Sequence, residues 1–234
     1  MLITGAGSGI GSEIAKMFTE AGAHVGFHFR FSSNNIGIGG YIVPFRGDLL
    51  DKEFRQNLLR QFLGTFDGID ILINNAGGCL EYKHYSELNE KEWDRMFELH
   101  VKVPFFLSRD AMNFMIQQNW GRIIFISTAA IRFGGINNMH YTASKAAMDS
   151  MMKAFARDGA PNNVLVNSIR PGLIDTPMRF KTDGYNEERW QARSKLIPLG
   201  HVGKPKDVAG MVLHLCSEYG DYITGETFRI AGGE

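Results

Sequence analysis

The sequence lacks the features that mark a disulfide-stabilised, membrane-spanning or metal-binding protein. Its 234 residues include two cysteines, Cys79 and Cys216, which form no CxxC pair, so a reduced, cytoplasmic compartment is expected. No apolar run is long enough to span a bilayer, and the start MLITGAGSG does not have the form of a signal peptide. The seven histidines form no HExxH or similar ligand cluster, so no metal site is predicted.

The charge balance argues against two further kinds of partner. The 25 basic and 25 acidic side chains cancel, so neither nucleic acid nor an anionic membrane surface is expected to bind. Hydrophobic residues make up 44% of the chain and charged residues 21%, which is ordinary for a globular protein with a sizeable core. Because the chain contains no linker, repeat or low-complexity segment, residues 1–234 are predicted to form one domain.

Short apolar runs alternate with segments of helical periodicity, which predicts an α/β fold with a parallel sheet covered by helices on both faces. Strands are predicted at residues 2–3, 24–29, 41–45, 69–73, 122–127, 164–169 and 227–230, and helices at 9–21, 51–62, 90–99, 104–118, 141–157 and 206–217. Residues 32–40 are predicted to contain little or no helix, and residues 176–198 to be irregular. The first strand looks clipped, so either the start is misassigned or truncated, or the strand is genuinely short.

A glycine-rich turn follows the first predicted strand and opens the first predicted helix, the context in which such a turn binds a dinucleotide. Glycines permit a tight turn and let a pyrophosphate approach the backbone, while the helix N-terminus offers free N–H groups and partial positive charge. A glycine cluster alone is usually only a turn, and this placement favours a dinucleotide site. The turn consists of Thr4, Gly5, Ala6, Gly7, Ser8, Gly9, Ile10 and Gly11.

Tyr141 and Lys145 stand four residues apart in YTASKAAM, so both lie on one face of a predicted helix. A free phenol has a pKa of about 10, which makes it a poor proton donor or acceptor at neutral pH. A nearby ammonium favours the phenolate and lowers that pKa. An isolated YxxxK match is a weak signal, and its value here comes from the glycine turn that precedes it.

These motifs, in this order, resemble those of the short-chain dehydrogenase/reductase family. The resemblance runs nearly end to end and implies a single Rossmann-type, doubly wound parallel sheet that transfers hydride between a nicotinamide cofactor and a carbonyl or secondary alcohol. It also implies that Tyr141 is the general acid/base and that Lys145 lowers its pKa and holds the nicotinamide ribose. The matching positions are TGxxxGxG from Thr4, Asn74-Asn75-Ala76-Gly77, Tyr141-x-x-x-Lys145, Asp48, Asn167, Pro171, Gly172, Thr176, Thr224, Gly225, Gly232 and Gly233.

The end of the second strand bears on the choice of cofactor. In the family an acidic residue there binds the ribose of NAD, whereas here Phe29 occupies that place and Arg30 follows. A permanently charged, bidentate arginine suits a phosphate, so NADP is predicted, with NAD as the alternative. The alternatives without a role in cofactor binding are a solvated Arg30 and an Asp48 that only caps a helix. The residues expected to bind the cofactor are Thr4, Gly5, Gly7, Ser8, Gly9, Ile10, Gly11, Arg30, Asp48, Asn75, Ala76, Gly77, Tyr141, Lys145, Pro171, Gly172 and Thr176.

Two expected catalytic positions depart from the family pattern. Thr128 stands where the family has a serine that hydrogen-bonds the substrate oxygen, and its extra methyl stiffens and crowds the site. Ser127 should point to the opposite face of the strand and not replace it. His100 stands where the family has an asparagine that holds a water for proton relay. Histidine titrates near neutrality, so His100 either preserves the relay in altered form, with a rate limb near neutral pH, or only fills space.

The substrate side is expected to include a variable loop at residues 176–198, which mixes Phe180, Tyr185 and Trp190 with basic residues. It is either a lid for a partly apolar or anionic substrate or a solvated surface segment. Ile131, Phe133 and His140 are candidates for lining the pocket.

Many relatives reduce 3-oxoacyl groups on acyl carrier protein, using arginines at positions that here are Asn119 and Asn162. Arg122 and Arg170 are nearby but displaced, so a carrier-protein partner is in doubt.

The leading hypothesis is therefore a cytoplasmic NADP-dependent reductase or dehydrogenase acting on a small-molecule carbonyl or alcohol, such as a 3-oxoacyl compound, a sugar or a small ketone. The rival is a weakly active or inactive cofactor-binding protein that senses redox state or scaffolds a partner. The resemblance also implies a homo-oligomer, a tetramer or a dimer. The apolar face formed by Met148, Met151, Met152 and Phe155 is consistent with an interface or with simple burial against the sheet.

Overall fold

The computed structural model describes residues 1–31, 40–79, 81–178 and 186–234, apart from the side chain of Arg189. Its strands are β1 (Leu2–Ile3), β2 (Val25–Phe29), β3 (Ile42–Arg46), β4 (Ile71–Asn74), β5 (Gly121–Ile126), β6 (Val164–Pro171) and β7 (Thr227–Ile230). All neighbouring strands pair in parallel, in the order β3-β2-β1-β4-β5-β6-β7. The predicted α/β fold with a doubly wound parallel sheet is confirmed.

The helices in the same residues are α1 (Gly9–Glu20), α2 (Lys52–Thr65), α3 (Glu90–Phe97), α4 (Val103–Gln117), α5 (Met139–Gly159), α6 (Glu187–Ser194) and α7 (Pro205–Cys216). Short 3₁₀ turns cover Tyr85–Glu87, Ala129–Arg132, Ala160–Asn162 and Glu218–Gly220. In the part of the chain that the structure describes, no helix combines the length and apolar character needed to cross a membrane.

The two faces of the sheet carry separate apolar cores, because successive side chains on a strand point to opposite faces. Leu2 packs in the core that covers one face, beneath α2, α4 and α5, whereas Ile3 packs in the core beneath α1 and α7. The pairs Leu72 and Ile73, and Ile123 and Ile124, divide in the same way. Strands buried on both faces explain why the sequence shows continuous apolar runs.

Two predictions about the helices need correction. The gap expected between residues 99 and 104 is a π-helical turn, Glu98–Lys102, that joins α3 directly to α4. The segment 176–198, expected to be irregular, contains α6. Its polar sequence EERWQARS gives little apolar periodicity, which is why the pattern misses it. The prediction for residues 32–40 falls almost entirely on residues 32–39, which lie outside the described part of the chain.

The apolar face of α5 proves to be core. Met148, Met152 and Phe155 are buried with the residues beneath α4 and α5, and Met151 packs partly against them. Simple burial against the sheet therefore explains this face. On α4, by contrast, Phe105 and Phe114 are 39% and 41% exposed.

The close packing of β2 against α2 can be tested at Gly26. A Cβ there would stand 2.7 Å from two ring atoms of Phe62 and 3.0 Å from Phe45, both buried. We expect Gly26→Ala to lower the free energy of unfolding by about 1–3 kcal/mol through overpacking. The matched control is Gly64→Ala in α2, where a Cβ meets nothing within 4 Å and helix propensity should add about 0.5–1 kcal/mol. Urea unfolding measures both, and equal effects in the two variants would contradict the packing argument.

Candidate active site

A cleft of about 1030 Å³ opens at the carboxyl edge of the sheet, where the loops after the strands meet. This is the edge at which parallel α/β sheets bind ligands. The cleft brings together most residues singled out from the sequence, although they come from segments spread over the whole chain. Those that line it are Gly5, Gly7, Ser8, Gly9, Ile10, Gly11, Arg30, Asp48, Asn75, Ala76, Gly77, Thr128, Tyr141, Lys145, Pro171, Gly172 and Thr176. Thr4 and His100 are not among the lining residues.

The glycine turn is shaped by close approach to the loop after β4. Gly5 has φ +66°, and a Cβ on it would stand 2.6 Å from Ala76 Cα. A Cβ on Gly11 would stand 2.5 Å from Asn75 Nδ2 and 2.6 Å from Gly5 O. Ser8 is the N-cap of α1, but its side chain makes no capping hydrogen bond. The first N–H groups of the helix, at the cleft, are therefore not capped by Ser8. These features fit a bound pyrophosphate.

Thr4 lies beneath the cleft instead of lining it. The residue is 2% exposed, and its Oγ1 accepts hydrogen bonds from the N–H groups of Asn75 and Ala76 at 3.1 and 3.0 Å. Asn75 in turn donates through Nδ2 to Thr4 O and Gly5 O at 2.9 and 3.0 Å. Thr4 therefore positions the two loops, and the direct cofactor contact expected for it is not supported by this geometry.

The end of the cleft near β2 and β3 carries Arg30 and Asp48. Their side chains form an ion pair at 3.6 Å, and the Arg30 guanidinium stacks 4.1 Å from the centre of the Phe31 ring. Asp48 also accepts the N–H of Leu50 at 3.0 Å, while the residue that caps α2 is Asp51. The two alternatives without a cofactor role do not hold fully, because Arg30 is paired with Asp48 and the cap of α2 is not Asp48.

His28 contributes to this end of the cleft in a way that the sequence did not reveal. Its Nδ1 accepts the N–H of Gly5 at 3.2 Å, and its Nε2 lies 3.0 Å from Gly47 O and donates to it. Burial lowers the pKa of His28, so the ring stays neutral and holds the glycine turn. A histidine at the end of an apolar strand was the available signal, but nothing in the sequence places it beside Gly5.

Tyr141 and Thr128 meet in the middle of the cleft. The Thr128 hydroxyl lies beside the Tyr141 phenol and accepts the N–H of Ala130 at 3.2 Å. Burial is the dominant influence on Tyr141 and raises its pKa, which the neighbouring Thr128 hydroxyl partly offsets. The expected lowering of the Tyr141 pKa by Lys145 is not among the influences on the phenol in the protein alone.

Lys145 is buried, with 3% of the residue exposed. Its Nζ donates to the carbonyl oxygen of Ile126, the last residue of β5, at 2.7 Å. Burial lowers the pKa of Lys145 to about 8, and the negative charge of Asp149 opposes that shift. The ammonium therefore stands at the wall of the cleft with a titration close to physiological pH.

Ser127 also lines the cleft, but its hydroxyl is engaged elsewhere. Its Oγ donates to Asp149 Oδ2 at 3.0 Å in a buried setting. It does not replace Thr128 in the cleft.

His100 is completely buried in the π-helical turn between α3 and α4. Its Nε2 accepts the N–H of Gly78 at 3.2 Å, so Nδ1 carries the proton and donates to Ser144 Oγ at 2.9 Å. The Ser144 hydroxyl in turn donates a hydrogen bond to the carbonyl oxygen of Tyr141 at 2.8 Å. Burial and the nearby Lys145 charge hold the pKa of His100 well below its usual range, so titration near neutrality is the wrong expectation. These contacts support a positioning role beneath Tyr141.

The substrate side of the cleft has an apolar rim and a small polar group. Phe133, Ile136 and Met178 line it and are 54%, 87% and 46% exposed. Beside Tyr141, the cleft is lined by Cys79, Tyr82 and Asn138, and burial raises the pKa values of Tyr82 and Cys79 to about 12. These three lining residues are therefore uncharged at neutral pH. None of Cys79, Tyr82 and Asn138 was predicted as a site residue, because loop residues follow no periodicity.

Of the three candidate pocket residues, Phe133 lines the cleft. His140 is completely buried instead, and both of its ring nitrogens lack a hydrogen-bond partner. Its predicted place in the pocket is therefore wrong, because its side chain lies behind the wall. Ile131 is likewise not a lining residue of the cleft.

The segment 176–198 does reach the cleft. Trp190 and Arg193 of α6 line it, together with Glu234, and Arg193 forms an ion pair with Glu234. Glu234 also lies beside Gly172, where a Cβ would stand 3.5 Å from its Oε2. Phe180 and Tyr185, named with this loop, fall outside the described residues.

The positions bearing on a carrier protein are occupied by other interactions. Asn162 donates to Asn119 at 3.3 Å, Arg122 is fully buried against Asp221 at 2.5 Å, and Arg170 bonds Asp149 at 2.8 Å. Within residues 1–31, 40–79, 81–178 and 186–234, no three His, Cys, Asp or Glu side chains are arranged to hold a metal ion.

Comparison with known proteins gives matches over essentially the whole chain. Residues 5–234 match the family model described as "Enoyl-(Acyl carrier protein) reductase". The 3-oxoacyl-[acyl-carrier-protein] reductase FabG of Aquifex aeolicus (strain VF5) is 35% identical over 241 residues, covering 99% of this chain and 95% of that protein. Nodulation protein G of Rhizobium meliloti (strain 1021) is 30% identical over 236 residues, again covering 99% and 95%.

Solved structures show the same architecture. Acetoin dehydrogenase from Enterobacter cloacae superposes with a TM-score of 0.88 at 27% identity, covering 100% of this chain and 94% of that one. YwfH, an NADPH-dependent reductase involved in bacilysin biosynthesis, superposes with a TM-score of 0.89 at 24% identity, covering 99% and 96%. At that identity the second match speaks for the fold alone.

The buried, neutral state of His100 leads to a pH prediction. We expect kcat/KM to follow the same pH dependence from pH 6 to 8 in the wild type and in His100→Asn, because a pKa held below the usual range leaves no limb there. In the unfolded chain His100 binds a proton near pH 6.5, whereas in the folded protein it stays neutral at that pH. Stability is therefore full above that pH and falls below it, by about 1 kcal/mol more in the wild type than in His100→Asn between pH 7 and 5.5. A rate limb near neutral pH that is present in the wild type and disappears in His100→Asn would instead support a proton relay through His100.

Proposed function

We propose, from the premise that this chain belongs to the short-chain dehydrogenase/reductase family, that it is an NADPH-dependent reductase of small carbonyl compounds. It is an oxidoreductase acting on C=O and CH–OH groups with a nicotinamide cofactor. The finer proposal concerns the cofactor, the substrate and the residues that act on them. The observation that carries it is the contact between the Tyr141 phenol and the Thr128 hydroxyl, one helical turn from the buried Lys145 ammonium.

The cradle for the cofactor fits a dinucleotide. We place the pyrophosphate against the glycine turn and the first turn of α1, the adenine end near Asp48, and the nicotinamide end near Pro171, Gly172 and Thr176. Asn75, Ala76 and Gly77 form the facing wall of the cleft. When bound, the cofactor supplies a hydride to a carbonyl carbon. Every other step in the reduction belongs to side chains of this chain.

Those side chains act on the carbonyl oxygen. Thr128 donates a hydrogen bond to it and orients it beside Tyr141, which gives up the phenolic proton as negative charge develops on the oxygen. The Lys145 ammonium stabilises the phenolate that remains and holds the nicotinamide ribose. Its partner Ile126 O fixes the ammonium at the end of β5. In the reverse direction Tyr141 accepts the proton of an alcohol.

The lining of the cleft favours a substrate whose reacting end is uncharged and partly apolar. Phe133, Ile136 and Met178 offer apolar surface, and the polar groups of Tyr82 and Asn138 carry no charge at neutral pH. We therefore propose a free or coenzyme A-linked ketone, not a carrier-linked one. The supporting observation is that Asn119 and Asn162 bond each other while Arg122 and Arg170 are already occupied.

Several broader features complete the proposal. We propose that residues 1–234 form one NAD(P)-binding domain whose loop at 176–198 closes over the substrate, and α6 supports this through Trp190 and Arg193. Two free thiols support a reducing compartment, the cytoplasm. The exposed Phe105 and Phe114 on α4 support a homo-oligomer, a tetramer or a dimer.

The catalytic assignment is tested with Tyr141→Phe. We expect kcat to fall at least 100-fold, because a general acid contributes about 10²–10⁴-fold, while NADPH affinity stays within about threefold. The assay follows NADPH and NADH oxidation with oxoacyl esters, sugars, small diketones and quinones at pH 5 to 9, and calorimetry measures binding. Tyr219→Phe, an exposed tyrosine outside the cleft, is the matched control. Tight NADPH binding without turnover of any carbonyl by the wild type would favour the sensor or scaffold.

The choice of NADP is tested with Arg30→Gln. Because a charge-assisted hydrogen bond contributes about 1.5–3 kcal/mol, kcat/KM for NADPH should fall roughly 10- to 100-fold. The value for NADH should hardly change, since NADH has no 2′-phosphate. Arg60→Gln removes the same charge from the exposed side of α2 and should leave both values unchanged. An equal loss for both cofactors would show that Arg30 does not read the phosphate.

A further inference from the structure

One buried carboxylate lies behind the site without belonging to its lining. Asp149 stands on α5 one turn after Lys145 and two turns after Tyr141, and its side chain is 5% exposed. Asp149 Oδ2 accepts from Ser127 Oγ at 3.0 Å and from Arg170 Nε at 2.8 Å, while Oδ1 accepts from Ser168 Oγ at 2.5 Å. A buried carboxylate that accepts three donors, one of them a guanidinium, has its hydrogen-bonding needs met.

Two of the three partners of Asp149 directly precede residues that we place in the reaction. Ser127 directly precedes Thr128 after β5, and Arg170 directly precedes Pro171 at the end of β6. Asp149 itself shares the face of α5 that carries Lys145, since it follows at i+4. The carboxylate therefore connects α5 and the ends of β5 and β6 at one point.

We propose that Asp149 is a positioning residue that keeps Lys145 charged and holds Thr128, Lys145 and the Pro171-Gly172 loop in register. This inference rests on the proposed reductase function and adds a residue to its machinery. Asp149 does not line the cleft, so it acts through its neighbours and not on the substrate.

The electrostatic part follows from the surroundings of Lys145. The ammonium is buried against Ile126 O, with His100 facing it from the π-helical turn and Tyr141 and Asp149 on its own helix. His100 is neutral, and Arg170, on β6, is paired with Asp149. Asp149 is the group whose charge opposes the desolvation that lowers the pKa of Lys145. Without that charge the ammonium would lose its proton at a lower pH.

The sign of the effect is fixed by which form of Lys145 is active. The protonated ammonium binds ribose and stabilises the phenolate, so kcat/KM should fall as pH rises through the pKa of Lys145, about 8. Removing the negative charge of Asp149 lowers that pKa and moves the fall toward acid pH. A purely mechanical clamp would lower the rate equally at every pH.

The experiment compares Asp149→Asn with Asp158→Asn, which removes the same charge from an exposed position of the same helix. We expect the alkaline limb of kcat/KM for NADPH to move about one pH unit or more toward acid in Asp149→Asn and to stay in place in Asp158→Asn. The loss should therefore reach tenfold or more above the wild-type limb and be smaller at pH 6. A uniform loss at all pH values would overturn the electrostatic role.

A second readout does not depend on finding a substrate. In the cofactor-free protein, the ¹³Cε resonance of Lys145, assigned with Lys145→Met, reports the titration of the ammonium. We expect its midpoint to fall in Asp149→Asn and to remain unchanged in Asp158→Asn. An unchanged midpoint in Asp149→Asn would sink this inference while leaving the reductase proposal intact. Absence of carbonyl reduction by the wild type would sink the reductase proposal and leave the titration result standing.

A variant that keeps the carboxylate covers the case in which Asp149→Asn does not fold. Arg170→Gln removes the competing cation, so Asp149 acts on Lys145 without a counter-charge and the limb should stay or move toward alkaline pH. Arg170 is partly exposed, which makes this change the milder one. A shift of the limb toward acid in Arg170→Gln would contradict the proposal, because it would show that the hydrogen bond and not the charge controls Lys145.

Discussion

Burial of the Lys145 ammonium is the constraint on which the arrangement of the cleft depends. A cation removed from water needs charge-assisted partners, because its desolvation costs several kcal/mol if they are missing. The carbonyl oxygen of Ile126 and the carboxylate of Asp149 meet that need, and they come from the end of β5 and from the next turn of α5. The distance between that strand and that helix is therefore set by the lysine, and Thr128 and Tyr141 are brought into contact as a result.

The floor beneath Tyr141 is built from a second chain of hydrogen bonds. Gly78 donates to His100, His100 donates to Ser144, and Ser144 donates to the carbonyl oxygen of Tyr141. His100 reaches this position from a π-helical turn, a feature that inserts one extra residue and often occurs at functional sites. Gly77 leaves room for the ring, since a Cβ there would stand 2.6 Å from His100 Nε2. Every donor in the chain has a fixed acceptor, so the helix that carries Tyr141 and Lys145 is held from below as well as from β5.

The sequence predicts those parts of the site that depend on local spacing. The glycine turn and the i, i+4 pair of Tyr141 and Lys145 are short-range patterns, and the structure places both in the cleft. Asp149 escapes such reasoning because its partners Ser127 and Ser168 lie 22 and 19 residues away and meet it only after three elements have packed. His28 escapes it for the same reason, since Gly5 is 23 residues away. The sign of the Tyr141 pKa shift was also out of reach, because the dominant influence is burial, which the spacing of residues in the sequence does not reveal.

The shortness of β1 has a consequence for the whole molecule. Leu2 and Ile3 are the two residues of β1 that pair with β2 on one side and β4 on the other, and backbone hydrogen bonds at Met1, Thr4 and Ala6 flank them. Arg30 and Asp48 stand on one side of this narrow seam, and Tyr141 and Pro171 stand on the other. A dinucleotide lying along the cleft would touch both sides, and its binding free energy would oppose their separation. Binding of the cofactor would thus also hold β2 and β3 more firmly to the rest of the sheet.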